Sequence, residues 1–213
     1  MPRKKGLFII SLSLFGLFLI FSYFVTQKNF TELDYDITVS LQNSIHRTFD
    51  LPFSFLSIIG SAEITYLIWA FLTLFFVYKR MWNTVTALFL LHFASVIEVA
   101  GKLFVFHPGP PLEFYRGAIR YYLPSQQLNL GYSYPSGHVT RTTFLIAFML
   151  IYTAYRAKPK TARTIQLLLL LLLFAMVVSR VYLGEHWISD VIGGLLVGGS
   201  LGLLASLSLS KKP

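Results

Sequence analysis

The chain contains no cysteine. Disulfides, thiolate nucleophiles and cysteine-ligated metals are thereby excluded, while the compartment is left open. Charge is scarce too: 13% of the 213 residues are Asp, Glu, Lys or Arg, and acidic residues number 9 against 18 basic ones. With 55% hydrophobic residues and a mean hydropathy of +0.64, this deficit points away from a soluble domain and toward a membrane. There is no internal repeat, and no low-complexity tract beyond the leucine run Leu167–Leu173, which reads as lipid-facing filler.

What is present is a series of apolar stretches of helical length: Leu7–Val25, Ile64–Tyr78, Met81–Ile97, Val139–Tyr155, Thr164–Ser179 and Val191–Ser210. A bilayer core takes about 20 apolar residues per helix, so the shorter runs must borrow flanking residues. Spans over 7–26, 61–78, 82–105, 139–156, 163–182 and 187–208 then make one all-α, six-transmembrane-helix bundle filling residues 1–213. The basic start of the first run resembles a signal peptide. Its apolar core is long and no small-residue cleavage site follows, so a retained helix is expected.

Orientation is read from the basic residues. Eleven of the eighteen fall on one side if both termini are inside: Arg3, Lys4, Lys5, Lys79, Arg80, Arg156, Lys158, Lys160, Arg163, Lys211 and Lys212. None of the nine acidic residues lies in those segments. An N-in, C-in topology follows. The net charge of +9 is then an orientation signal with some affinity for anionic lipid, and needs no nucleic acid partner.

Two features belong to the outer side. In Leu33–Phe49, Ile37, Leu41, Ile45 and Phe49 recur every four residues, which predicts an amphipathic surface helix, either on lipid or docked on the protein. His107–Gly137 holds five of the nine prolines and six Tyr or Phe residues, a composition suited to an ordered outer loop. On the last helix His186, Asp190, Gly194, Gly198 and Gly202 form one stripe, which should face the bundle because small residues allow close helix contact.

Charged residues within spans are costly and tend to face a polar interior. Lys102, the segment "YPSGHVTR" (Tyr134–Arg141) and the segment "SRVYLGEHWISD" (Ser179–Asp190) all fall on the outer side. His186 and Asp190 are four apart, so a carboxylate can fix the imidazole tautomer and leave the other nitrogen free to attack an electrophile. His138 is then available as general acid and later as general base. Lys102, Arg180 and the backbone N–H groups around Gly137 and His138 suit the oxygens of a phosphoryl group. No metal or other cofactor is demanded, and His46, His92 and His107 show no ligand spacing. His92, mid-span, reads as a core residue. Glu98 and Lys102, four apart, read equally well as a structural ion pair.

These motifs resemble those of the type-2 phosphatidic acid phosphatase superfamily, whose signature runs Lys-x6-Arg-Pro, Pro-Ser-Gly-His and Ser-Arg-x5-His-x3-Asp. The second is complete at Pro135-Ser136-Gly137-His138, and the third at Ser179-Arg180, His186 and Asp190. The resemblance implies that His186 forms a phosphohistidine, His138 protonates the leaving oxygen and Asp190 orients His186. It further implies that Lys102, Ser136, Gly137 and Arg180 bind phosphate. The first motif departs: counting from Lys102, the arginine position is Gly109, followed by Pro110. Arg141, one helical turn beyond His138, is the first candidate to replace it, with Arg116 and Arg120 as alternatives.

The expected activity is metal-independent hydrolysis of a lipid phosphate or pyrophosphate at the outer leaflet of a bacterial plasma membrane. Polyprenyl pyrophosphate, phosphatidylglycerol phosphate and phosphatidic acid are the candidate substrates. A catalytically weak phospholipid-binding or transport relative, or a lipid phosphotransferase, is the alternative. The expected partners are the lipid phosphate and the bilayer; the oligomeric state is not legible.

Overall fold

The computed structural model describes residues 4–119, 124 and 131–209. Arg3, Arg120, Lys211 and Lys212 lie outside the described residues. Within them the chain is helical: α1 (Lys4–Thr26), α2 (Thr31–Ser44), α3 (Asp50–Ile59), α4 (Ala62–Tyr78), α5 (Trp82–Leu88), α6 (Leu90–Phe104), α7 (Gly137–Arg156), α8 (Pro159–Tyr182) and α9 (Ile188–Ser206). Local chemistry sets several starts. Ser61 Oγ accepts the Ile64 N–H ahead of α4, and proline occupies the first turn of α8, where no intrahelical N–H bond is lost.

The core is built around α7 and α9. An ideal Cβ at Gly194 would approach Ser136 O to 2.8 Å, at Gly198 it would collide with Thr140 O, and at Gly202 it would meet Phe144 O at 2.5 Å. The stripe of small residues therefore faces the α7 backbone. On its other side α9 holds α1 through a reciprocal pair, Ser11 Oγ to Ser200 O and Ser200 Oγ to Ser11 O, both 2.8 Å. Lys4 Nζ donates to Leu207 O at 2.7 Å, closing the end of the bundle opposite the motifs.

Among the described residues four helical segments are long and apolar enough to cross a membrane: α1, Trp82–Phe104 (α5 continuing into α6), α8 and α9. The pair α3–α4, bent by 49°, would be a fifth. Large apolar side chains such as Leu19, Phe71, Leu74, Leu168 and Phe174 stand exposed on these segments, as lipid contact requires. The remaining stretch, α7, is helical over 20 residues but opens with "GHVTRTT". Most of its side chains, Thr140, Arg141, Thr142 and Thr143 included, are buried against neighbouring helices. A helix sheathed by protein has no need of an apolar surface, so hydropathy alone under-reports it.

α2 differs from the expected amphipathic pattern. It stops at Ser44, and Phe49 lies exposed in the separate turn Arg47–Phe49. Ile37 and Leu41 do pack, against Val139, Met176, Val181 and Val191. The deepest side chains of α2 are polar, Asp34 and Thr38. Gln42 Nε2 donates to Phe114 O at 2.7 Å and to Tyr182 O at 2.8 Å. The helix is thus docked on the bundle by polar contacts, the second of the two readings of its sequence.

Candidate active site

Four helix ends converge: the C-termini of α6 and α8 and the N-termini of α7 and α9. Lys102 and Arg180 come from the first pair, His138 and Asp190 from the second. The turn before α7 is pinned by Tyr134, whose hydroxyl bonds Ser22 at 2.8 Å and whose ring stacks on Phe18. The Ser136 N–H donates to Asp190 O at 3.0 Å, joining the second and third motif segments directly.

At the mouth of α7 the first-turn N–H groups have no intrahelical partner and carry the positive end of the helix dipole. Ser136 Oγ and His138 Nε2 are buried and make no hydrogen bond among the described residues. Buried polar atoms rarely lack partners, so this donor set suits an oxyanion. Arg180, Arg141, His186 and Lys102 all lie close enough to His138 for their charges to act on it.

The histidine–carboxylate pair forms, but not along one helix as expected: His186 lies in the turn ahead of α9, and Asp190 in the first turn of that helix reaches back to it. His186 Nδ1 lies 3.2 Å from Asp190 Oδ2, which also accepts the Trp187 N–H at 3.0 Å. Asp190 is fully buried, and His186 nearly so. With Nδ1 facing the carboxylate, Nε2 is the nitrogen left for chemistry.

The cations are held by carboxylates. Glu98 Oε1 accepts from Lys102 Nζ at 3.0 Å while Oε2 pairs with Arg141 Nη1. A Cβ at position 137 would collide with the Glu98 carboxylate, so Gly137 is what lets this group sit against the mouth of α7. Arg180, wholly buried, pairs with Glu185 and donates to Ser57 Oγ at 2.7 Å.

Arg141 thus joins Lys102 on one carboxylate. Arg116 is engaged elsewhere, donating to Gln42 O at 2.8 Å and lying over the Tyr182 ring. Gly109 lines a cavity of about 300 Å³ with Asp34, His107 and Trp187. His92 packs as a core residue against Tyr66, Trp69 and Phe89, held by rings and not by hydrogen bonds at Nδ1. Sequence reasoning missed Glu185, and it missed Asp34, His107 and Ser189, which lie together behind Asp190. Asp34 sits within an apolar repeat and His107 has no ligand spacing, so neither stands out in the sequence. Among the described residues no three His, Cys, Asp or Glu side chains are grouped to hold a metal ion.

Fold and site together define a helical integral membrane protein whose histidine–carboxylate pair faces a cluster of cations. A sequence model of the PAP2 superfamily matches residues 83–213, which include all three motif segments. The chain belongs to the PAP2 superfamily of phosphatases. Its fold is similar to that of the first transmembrane PAP2-type phosphatidylglycerolphosphate phosphatase from Bacillus subtilis, with a TM-score of 0.74 at 18% identity, covering 92% of this chain and 93% of that one. It is also similar to Aquifex aeolicus LpxE, with a TM-score of 0.60 at 20% identity, covering 81% and 94%. No curated protein sequence matches significantly.

Proposed function

We propose that the protein hydrolyses a lipid phosphate or pyrophosphate through a phosphohistidine on His186, at the outer leaflet of a bacterial plasma membrane. The observation that carries this reading is the meeting of His186–Asp190, His138 and three buried or half-buried cations at the mouths of α7 and α9. Six crossings with both termini inside, α7 being the fourth, complete the arrangement.

In this reading the substrate phosphate takes over Lys102, Arg141 and Arg180 from Glu98 and Glu185, and receives Ser136 Oγ and the N–H groups at Gly137 and His138. His186 Nε2 attacks phosphorus as the bond to the leaving oxygen breaks, and His138 supplies that oxygen with a proton. Asp190 holds the Nδ1 proton and favours the charge that develops on the ring. Water then gives its proton to His138 while adding to phosphorus, the N–P bond breaks, and inorganic phosphate leaves with His186 restored. The cations supply the charge stabilisation, so no metal is needed in this scheme.

The lipid character of the substrate is supported by an apolar cleft of about 250 Å³ between α4, α7 and α8, lined by Ile68, Leu72, Leu145, Met149, Leu169 and Leu172. Thr142, next to Arg141, lies on the same cleft. A tail in the cleft would leave the phosphate at the cations. The solved relative named for phosphatidylglycerolphosphate supports that substrate. An outward site favours polyprenyl pyrophosphate, and phosphatidic acid shares the same chemistry.

The test is phosphate release by the detergent-purified protein, with chelator present, from polyprenyl pyrophosphate, phosphatidylglycerol phosphate and phosphatidic acid. Release from at least one, abolished in His186→Ala, is expected. No release from any would leave a lipid-binding or transport role, and equal release by the variant would overturn the mechanism.

A further inference from the structure

Behind Asp190, on the side away from His186, lies a second set of buried polar groups. Asp34 comes from α2, His107 from the loop after α6, and Ser189 from the first turn of α9. Asp34 is 1% exposed, and His107 and Ser189 are buried with it. We propose that His107 is a positioning residue for the nucleophile, acting through Asp190, with Ser189 and Asp34 fixing its ring. The inference rests on the reading of His186 as nucleophile.

The hydrogen-bond inventory sets the direction of each contact. Asp34 Oδ1 accepts the Ser189 N–H at 2.9 Å, and Oδ2 accepts the Ser189 O–H at 2.8 Å. The serine proton is thereby used, so Ser189 Oγ accepts from His107 Nε2 at 3.0 Å, and Nε2 carries a hydrogen. The same N–H edge faces Asp34 Oδ2 at 3.5 Å and Asp190 Oδ1 at 3.6 Å. Asp190 Oδ1 has no hydrogen bond of its own among the described residues. One oxygen of Asp190 is thus fixed by the Trp187 N–H and His186. Among the described residues the other has the positive edge of His107 to hold it in register.

The loop is built to deliver this ring. The His107 carbonyl accepts both the Ser133 N–H at 3.0 Å and the Ser133 hydroxyl at 3.1 Å, just ahead of the Pro135–His138 turn. Trp187 Nε1 donates to Pro108 O at 2.8 Å. The segment that carries Gly109 in place of the family's arginine therefore contributes to the site two residues earlier. It does so by steering the carboxylate that orients the nucleophile, without touching phosphate.

The test uses the full chain in detergent, with phosphatidic acid and polyprenyl pyrophosphate as probes. His107→Leu is expected to lower kcat about tenfold with KM within about twofold, the scale for losing an outer partner of a functional side chain. His107→Gln, which keeps an N–H where Nε2 lies, should recover most of the rate. In an Asp190→Asn background His107→Leu should cost nothing further, because its effect passes through Asp190. A wild-type kcat in His107→Leu, equal damage from leucine and glutamine, or an undiminished loss in the Asp190→Asn background would each overturn the inference. Should the leucine variant not fold, Ser189→Ala removes the acceptor that fixes Nε2 and must itself lower kcat with KM retained; an unaltered kcat overturns the inference. If Asp190→Asn alone keeps the wild-type rate, the His186–Asp190 reading fails instead, which separates the two outcomes.

Discussion

Glu98 bridges Lys102 and Arg141 against the glycine at the mouth of α7, where an oxyanion would be received. In the proposed reading, a carboxylate held by the cations that would bind phosphate competes with it. Glu98→Gln keeps an acceptor for one cation and removes the charge. It should tighten inhibition by inorganic phosphate about tenfold, as expected for one like charge removed from a partly desolvated site. Weaker inhibition would mean that Glu98 serves to place Arg141. Arg141→Ala should lower kcat/KM by about 100-fold through loss of a charge-assisted contact, while Arg116→Ala leaves it unchanged. Equal rates in the wild type and Arg141→Ala would remove Arg141 from the site. Asp34 exposes a different cost. Burial raises its carboxyl above the usual value of 3.8, against the lowering by its Ser189 bonds and by His107. A raised carboxyl lends stability that is complete below the unfolded pKa and lost as pH rises through the folded one, so ionised Asp34 is a burden at neutral pH. The unfolding midpoint should therefore fall as pH rises through the folded-state value of Asp34, and Asp34→Asn should flatten that dependence while lowering kcat, because an amide nitrogen cannot accept the second Ser189 bond. These residues mark the limit of what the sequence discloses. Glu98–Lys102 was legible because helical spacing of four places side chains together; the same spacing pointed to His186–Asp190, although His186 lies in the turn ahead of α9 and meets Asp190 across the helix start. The contacts of Asp34 with Ser189 and of Arg180 with Ser57 and Glu185 join distant segments or depend on a turn, and no local spacing announces them.

At the scale of elements, the register of α9 on α7 decides whether the motif-bearing ends meet. Gly194, Gly198 and Gly202 admit the α7 backbone, and Ser136 and Asp190 bond directly above them. Gly198→Ala would drive a methyl group into Thr140 O. It should destabilise by about 1–3 kcal/mol, seen as a lower unfolding midpoint, and should reduce activity by parting His138 from His186. Gly16→Ala, with nothing within 4 Å of its Cβ on α1, is the control and should be neutral or slightly stabilising. A Gly198→Ala variant as stable and active as Gly16→Ala would show that the two helices tolerate wider separation. The glycine stripe could be read in the sequence because its period matches the helix. The inward face of α2 was legible through Ile37 and Leu41, but its deepest residues, Asp34 and Thr38, were not, since polar burial leaves no hydrophobic signature.

For the whole molecule, composition disclosed the membrane and the helical class, because lipid-facing surface must be apolar wherever a helix meets it. It also found α7, as the span 139–156, although protein surrounds most of that helix and its first turns are polar. Orientation remains the property with the largest consequence, since it decides which leaflet supplies the substrate. The absence of cysteine makes it measurable, because any introduced thiol is the sole site of labelling. Leu112, 90% exposed, lies in the loop that carries Gly109 and His107, while Asn83, exposed in the first turn of α5, lies at the opposite end near Arg80. Basic residues cluster at that opposite end, which is the ground for proposing that it faces the cytoplasm. A membrane-impermeant maleimide added to intact cells should label Leu112→Cys and spare Asn83→Cys until the membrane is permeabilised. The reverse pattern would put the site at the inner leaflet and remove outward-facing lipid pyrophosphates from the candidate substrates. Labelling of both from outside would mean that the number of crossings between the two positions is even, which an α5–α6 segment spanning once does not allow.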